Sequence, residues 1–357
     1  MKKKILFPAL SLLVIVAFVL TACQPAATPE PSPTPEPAIG SQEHPIKVLF
    51  VPSVDVDFMI ESGDLIEQAL NEATGLFYEV SVPTSYAATI EEMCASPTDT
   101  IGFIPAMGYA LANKLCGVEP GLASVRYGWN VYFTAFFVAR ESAYKSLDDL
   151  GETLKQLDGA KWAYPDAGST SGYLYPKSLF ENFGVQIGES IEAGGHPQAV
   201  KAVYNGEVDV GTAFYSPLLL PEGDWKIGDP PDVPDEVVAE CGVDADGKLM
   251  CGGYRVLDAR QVIREEAPDV VQKVRILALS PEIPNDTMSF SPEFPEELKQ
   301  KIMDAVIEYV GSEACLETLC NEQFYEWTGA APIGDENFDG VRIMMEAQGI
   351  TLETLGE

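Results

Sequence analysis

Residues 164 to 176 read Tyr164-Pro165-Asp166-Ala167-Gly168-Ser169-Thr170-Ser171-Gly172-Tyr173-Leu174-Tyr175-Pro176. An apolar strand ends at Tyr164, a glycine turn follows, and three successive hydroxyls stand where a helix begins. The first turn of a helix has N–H groups without partners and about half a positive charge, which makes it a seat for an anion. Ser169, Thr170 and Ser171 add hydroxyl donors, and Gly172 lets a ligand approach the backbone. Such a cluster binds a tetrahedral oxyanion with neutral dipoles alone. A plain helix cap needs only one of these hydroxyls.

A serine hydrolase built on Ser171, His196 and Asp209 is the competing chemistry. A nucleophilic serine normally sits in a strained elbow such as GxSxG, with a separate oxyanion hole. Gly168-Ser169-Thr170-Ser171-Gly172 lacks that pattern. Metal-assisted phosphoester cleavage needs more ligands than 2 histidines supply. The reading is therefore a binder and not an enzyme, with no catalytic residue, no metal and no cofactor.

The segment Gly168-Ser169-Thr170-Ser171-Gly172-Tyr173-Leu174-x-Pro176 resembles the signature of the phosphate/phosphite/phosphonate-binding proteins of ABC importers. Thr84-Ser85-Tyr86-Ala87-Ala88 and Gly102-Phe103-Ile104-Pro105-Ala106-Met107-Gly108-Tyr109 are similar to first-lobe segments of that family. Gly194-Gly195-His196, with Asn205-Gly206-Glu207-Val208-Asp209 after it, resembles the ligand-histidine helix and the strand that follows. Ser280-Pro281-x-Ile283-Pro284-Asn285-Asp286 resembles an S-P-x-I-P-x-D turn. The five pieces arrive in the family's order over roughly Ile46 to Val310.

The resemblance implies two doubly wound α/β lobes joined by a hinge, as in type II periplasmic binding proteins. It implies that Tyr86 donates its hydroxyl from the first lobe and that Tyr132 lines the cleft. Ser169, Thr170 and Ser171 would hold the oxyanion, His196 would add an imidazole donor, and Asp286 would accept a proton-bearing group of the ligand. Family members that take aminoalkylphosphonates carry an acid where this chain has Ser216. The expected ligand is therefore phosphite, phosphate, or a small or neutral phosphonate or phosphate ester. The expected partner is an ABC permease; a binding lobe serving a sensor kinase would have the same ligand chemistry.

The elements that position these residues alternate β-α-β-α, which implies a parallel sheet covered on both faces. Strands are expected at 45–52, 79–82, 100–104, 131–139, 161–164, 208–212 and 274–279. Helices are expected at 64–73, 86–93, 107–115, 146–150, 173–183, 197–204, 295–310, 312–324 and 341–345. The first lobe is placed at 45–137 plus 276–357 and the second at 138–275. Residues 221–251 break the pattern with nine acids against two lysines and four prolines, an acidic excursion within the second lobe.

The 357 residues carry 22 Lys+Arg against 55 Asp+Glu, a formal charge of −33. This excludes the basic footprint of a nucleic-acid binder and adhesion to anionic headgroups. Hydrophobic residues make up 46%, enough for sizeable cores. Lys2–Lys4, the apolar run Ile5–Leu20 and Leu20-Thr21-Ala22-Cys23 read as a secretory signal peptide, 1–22, ending in a bacterial lipobox. Loss of the leader leaves 19 basic against 55 acidic residues, a balance of −36. Cys23 would carry the lipid, and 23–44 would be anchor and proline-rich tether. That places the protein outside the cytoplasm, on the membrane and as a monomer. Six further cysteines in an exported chain favour disulfides. Of the fifteen possible connectivities, pairing of neighbours is expected: Cys94–Cys116, Cys241–Cys251 and Cys315–Cys320.

Overall fold

The computed structural model describes residues 37–355. The expected signal peptide, the lipidation site Cys23 and the tether as far as residue 36 lie outside the described residues. The end of the expected tether belongs to the folded body. Gly40 donates to the carbonyl of His44 at 2.8 Å, Phe77 donates to Gly40 at 2.9 Å, and Ile39 packs on the first-lobe core.

The chain lays down β1 (Ile46–Phe50), β2 (Tyr78–Ser81), β3 (Thr100–Ile104) and β4 (Glu119–Val125) before it first crosses between lobes. Beyond the crossing come β5 (Val131–Ala139), β6 (Lys161–Tyr164), β7 (Glu189–Glu192) and β8 (Val210–Tyr215). A small ribbon follows, of β9 (Cys241–Val243), β10 (Leu249–Cys251) and β11 (Tyr254–Arg255). Then β12 (Val274–Leu279) and β13 (Ile283–Pro284) lead back to β14 (Thr287–Phe290) and β15 (Gly329–Pro332). The first sheet runs β15-β4-β14-β3-β1-β2 and the second β12-β5-β8-β6-β7, with β13 paired to β5. β1 is parallel to β2 and β3, and β6 is parallel to β7 and β8. The returning strands pair antiparallel, β14 between β4 and β3 inside the first sheet and β12 on β5 at the edge of the second, so both sheets are mixed where a parallel sheet was expected.

These pairings move the expected lobe boundaries. The whole of β5 and of β12 pairs in the second sheet, so the crossings lie at 126–130 and 285–286, not at 137/138 and 275/276. A boundary at 137 also put Tyr132 in the first lobe, whereas it belongs to the second sheet. The two crossing segments are zipped together. Asn285 Nδ2 donates to the carbonyls of Ser124 (2.8 Å) and Trp129 (3.0 Å), and Ser124 N–H donates to the carbonyl of Asp286 (3.0 Å).

Local chemistry explains most element ends. The helix Val56–Thr74 starts where the Asp55 carboxylate accepts from Phe58 N–H at 2.9 Å, and stops at Gly75 with φ 70°. It begins eight residues before the expected start, because Ser62 and Gly63 interrupt the apolar stripe yet are buried. Helix is also absent from most of 312–324: one short 3₁₀ turn, Glu313–Glu317, is closed by the Cys315–Cys320 disulfide, and the chain then turns toward the cleft. The other disulfides are Cys94–Cys116 and Cys241–Cys251, so all three join the expected neighbours. The acidic excursion is docked: Trp225, Val233, Leu249 and Cys251 share a core with Phe133 and Tyr215. Its Asp232 pairs at 2.9 Å with Arg260, which is fully buried.

Candidate functional site

The loops that follow the carboxyl ends of β1, β2, β3, β6, β7 and β8 converge on one cavity between the lobes, the usual ligand position in open α/β sheets. Six of the seven expected residues line it: Tyr86, Tyr132, Ser169, Ser171, His196 and Asp286. Helices begin at or beside several lining residues. Tyr86 opens Tyr86–Ala95, His196 opens His196–Tyr204, Pro105 precedes Ala106–Cys116, and Ser169 caps a π-helical turn at Thr170–Leu174. Their positive ends give a negatively charged protein a locally favourable seat for an anion. The cavity volume is about 60 Å³. It is a site for a small ligand.

Ser169 Oγ accepts from Gly172 N–H at 3.0 Å and lies 3.4 Å from His196 Nε2. It is both a helix cap and a cavity wall, and its own proton is left to donate. His196 Nδ1 accepts from Phe214 N–H at 3.3 Å, which leaves the ring proton on Nε2. Burial lowers the imidazole to about 3, so the histidine is a neutral donor at working pH. Burial likewise pushes the phenols of Tyr86, Tyr132 and Tyr325 well up, so they stay protonated. The Tyr132 hydroxyl bonds the Ser171 side chain.

Thr170 departs from expectation. It does not line the cavity; its Oγ1 accepts from the backbone N–H of Met107, in the first lobe, at 2.8 Å. The helix Ala106–Cys116 has no side-chain cap of its own, so a hydroxyl from the opposite lobe supplies one. Asp166 makes a second bridge of this kind. Its carboxylate accepts from Gly168 N–H at 2.6 Å and from the Tyr86 N–H across the cleft. Burial raises that carboxyl to about 6. Between the two bridges, Gly168 sits so near Tyr86 that a Cβ there would lie 2.4 Å from Tyr86 Cβ.

Asp286 is not free to serve a ligand alone. Arg126 Nη2 donates to Asp286 Oδ2 at 2.8 Å, Nη1 to Ser124 Oγ at 3.0 Å, and Nε to the carbonyl of Tyr325 at 2.9 Å. Arg126 lines the cavity and was missed from sequence, because a lone arginine at a strand end carries no motif. Glu322, Phe324, Tyr325 and Glu326 also reach the cavity. Glu322 and Phe324 come from the segment expected to be helical and Tyr325 and Glu326 from the residues just after it, none from the acidic excursion. Ser216 lines the wall, as the resemblance implied. The hydrolase constellation is not assembled: the Asp209 carboxylate accepts from Lys161 N–H at 2.8 Å, at an exposed strand edge away from the cavity.

The model of the family "ABC transporter, phosphonate, periplasmic substrate-binding protein" matches residues 48–338. The chain belongs to this family. Phosphonate-family members are substrate-binding proteins of ABC transporters and not enzymes, and so is this chain; their place is extracytoplasmic. The phosphate-import protein PhnD of Mycolicibacterium smegmatis is 28% identical over 228 residues, 60% of this chain and 68% of its own. Two solved structures share the fold. The binding protein component of an ABC phosphonate transporter from Pseudomonas aeruginosa has a TM-score of 0.62 at 16% identity, covering 85% of this chain and 86% of its own. PhnD1 from Prochlorococcus marinus, in complex with methylphosphonate, has 0.63 at 12%, covering 85% and 98%.

Proposed function

We propose that this phosphonate-family protein captures a small, uncharged-tailed phosphorus oxyanion: phosphite, phosphate or methylphosphonate. The observation that carries the reading is the size and lining of the interlobe cavity. Ser169, Ser171 and neutral His196 donate from one lobe, Tyr86 from the other, and the space between them is small, about 60 Å³. Tyr132 completes the donor set. A relative named for phosphate import and a structural neighbour that holds methylphosphonate agree with that size.

Arg126 neutralises Asp286, Arg255 faces Glu322 and Glu326, and Ser216 offers no charge, so a ligand ammonium finds no unpaired acid among the lining residues described. Aminoethylphosphonate is therefore disfavoured. Thr170 acts by latching the lobes, not by touching the ligand. Capture works by differential affinity. The ligand touches both lobes only when they are shut, so binding shifts the open–closed equilibrium. Cys23 carries the lipid that keeps the monomeric binder beside its permease.

Calorimetric titration with phosphite, phosphate, methylphosphonate and 2-aminoethylphosphonate tests the ligand reading. Heat is expected from at least one of the first three and little from the fourth; silence from all four sinks the proposal.

A further inference from the structure

We propose that Arg255, presented by the disulfide-stapled ribbon of the second lobe, is a positioning residue that clasps Glu322 and Glu326 of the first lobe and so holds the cavity shut. The proposal gives the acidic excursion a task and rests on the capture reading only in assuming that closure retains a ligand.

The sequence builds the ribbon to hold one side chain still. Cys241 and Cys251 sit opposite each other in β9 and β10 and are joined covalently. Gly252 and Gly253, with φ of 54° and 98°, make the tight turn into β11, where two successive positive φ values favour glycine. Arg255 then exchanges both backbone hydrogen bonds with Leu219, at 3.0 and 3.1 Å. Leu249, Cys251 and Val256 anchor the ribbon in the second-lobe core. The backbone of Arg255 is thus fixed to one lobe.

Its guanidinium reaches the other. Nη2 donates to Glu322 Oε1 and lies 3.7 Å from Glu326 Oε1. Gln261, also of the second lobe, donates to Glu326 Oε2 at 2.9 Å, and Arg264 Nη2 is 3.6 Å from Glu322 Oε2. Tyr127, in the crossing segment, donates to Glu326 Oε1 at 3.0 Å. Glu326 holds a positive φ of 51°, a strained backbone for a residue with a side chain.

Both glutamates line the cavity. Two carboxylates beside an anion site repel the ligand and each other unless a cation faces them. Arg255, which faces both glutamates, and Arg264, which faces Glu322, supply that charge only while the lobes are together. Opening would return the glutamates to water.

A pH signature follows. Burial raises the Glu326 carboxyl from 4.5 to about 7, Glu322 pushes the same way, and Gln261, Tyr127 and Arg255 push it down. In an open protein the group would return to its ordinary value. Closure therefore takes up a proton between pH 4.5 and about 7, and is favoured as pH falls through that window. Removing Arg255 takes away one downward influence, so the upper edge of the window moves up.

The test uses the full chain, Arg255→Gln, Glu322→Gln, the double variant and Glu326→Gln. Each is titrated with methylphosphonate, phosphate and phosphite from pH 5 to 8, with the interlobe distance read from a spin-label pair. Arg255→Gln is expected to weaken binding about 3–10-fold at pH 7, between an exposed and a buried ion pair, chiefly by faster release. The double variant should bind no worse than the weaker single variant. The ratio of wild-type to Glu326→Gln affinity, in which the ligand's own titration cancels, should rise as pH falls from 8 to 5. The same rise should begin at higher pH in the Arg255→Gln background. Affinity within twofold of wild type in Arg255→Gln, or full additivity in the double variant, overturns the clasp. If wild type binds none of the three probes, the capture reading fails instead. The clasp then stands or falls on whether Arg255→Gln widens the lobe separation of the ligand-free protein.

Discussion

Replacing Gly168 with alanine adds one methyl group at a close approach of the two lobes. The new Cβ would lie 2.4 Å from Tyr86 Cβ and 3.1 Å from its Cγ, against a comfortable carbon separation of about 3.5–4.0 Å. Tyr86 Cβ is fixed to the first turn of its helix and cannot swing aside, so the lobes must stay apart by roughly the missing ångström. Overpacking of this kind costs about 1–3 kcal/mol, here charged to the closed state alone because Tyr86 and Gly168 belong to different lobes. Binding should weaken by about 5–150-fold. The melting temperature of ligand-free protein should fall much less than in Gly172→Ala, whose Cβ would meet Pro165 at 2.2 Å inside one lobe. Calorimetric titration with methylphosphonate and phosphate, beside thermal melts of both variants, makes the comparison. Near-wild-type affinity in Gly168→Ala, or equal loss of melting temperature in the two, would show that the 168–86 contact does not gate closure.

Other perturbations probe separate parts of the site. Thr170→Val leaves the buried Met107 N–H without its acceptor, which costs about 1–3 kcal/mol and should weaken binding accordingly, whereas Thr170→Ser should keep most of the affinity; equal titrations for the two would discount the latch. Arg126→Gln leaves the Asp286 carboxylate, 16% exposed, uncompensated beside the ligand, and a loss of about 2 kcal/mol, roughly 30-fold, is expected by calorimetry. His196 titrates near 3 when folded and near 6.5 when unfolded. Its share of stability is therefore present above pH 6.5 and lost as pH falls toward 3, and its imidazole proton resonances in ligand-free protein should stay flat from pH 8 to 5. Cys23→Ala should release the protein from membranes into the soluble fraction, as fractionation of cells would reveal.

Much of the cleft can be read from residue order because its donors travel in short contiguous runs. Gly168 to Gly172, Gly194 to His196 and Pro284 to Asp286 each put strand end, turn and donor within a few residues. The same compactness misleads at Thr170, where adjacency in sequence suggests a shared role. A π-helical turn sends Ser169 and Ser171 to the cavity while Thr170 Oγ1 meets Met107 in the other lobe. Arg126, Glu322 and Glu326 were illegible for a different reason. Their partners lie about 160, 67 and 65 residues away, and no local pattern encodes such distances. Strand β4 escaped notice because Pro120 and Gly121 lower its β propensity, and β7 because it is exposed throughout as an edge. Lobe boundaries slipped for a related reason. β5 is apolar along its whole length, so nothing in its composition says which sheet it joins; only its pairing with β8 does.

The amide of Asn285 fastens the two crossing segments to each other, so they cannot flex independently. Motion of one lobe against the other is then reduced to something close to a single swing, like a door on paired pins. An oversized guest need not collide with any particular wall to be refused: by propping the door ajar, it leaves Thr170 short of Met107 and the ribbon short of its glutamates. A permease that recognises only the shut outline would ignore such a half-closed carrier, and cargo would be sorted by the angle of the swing.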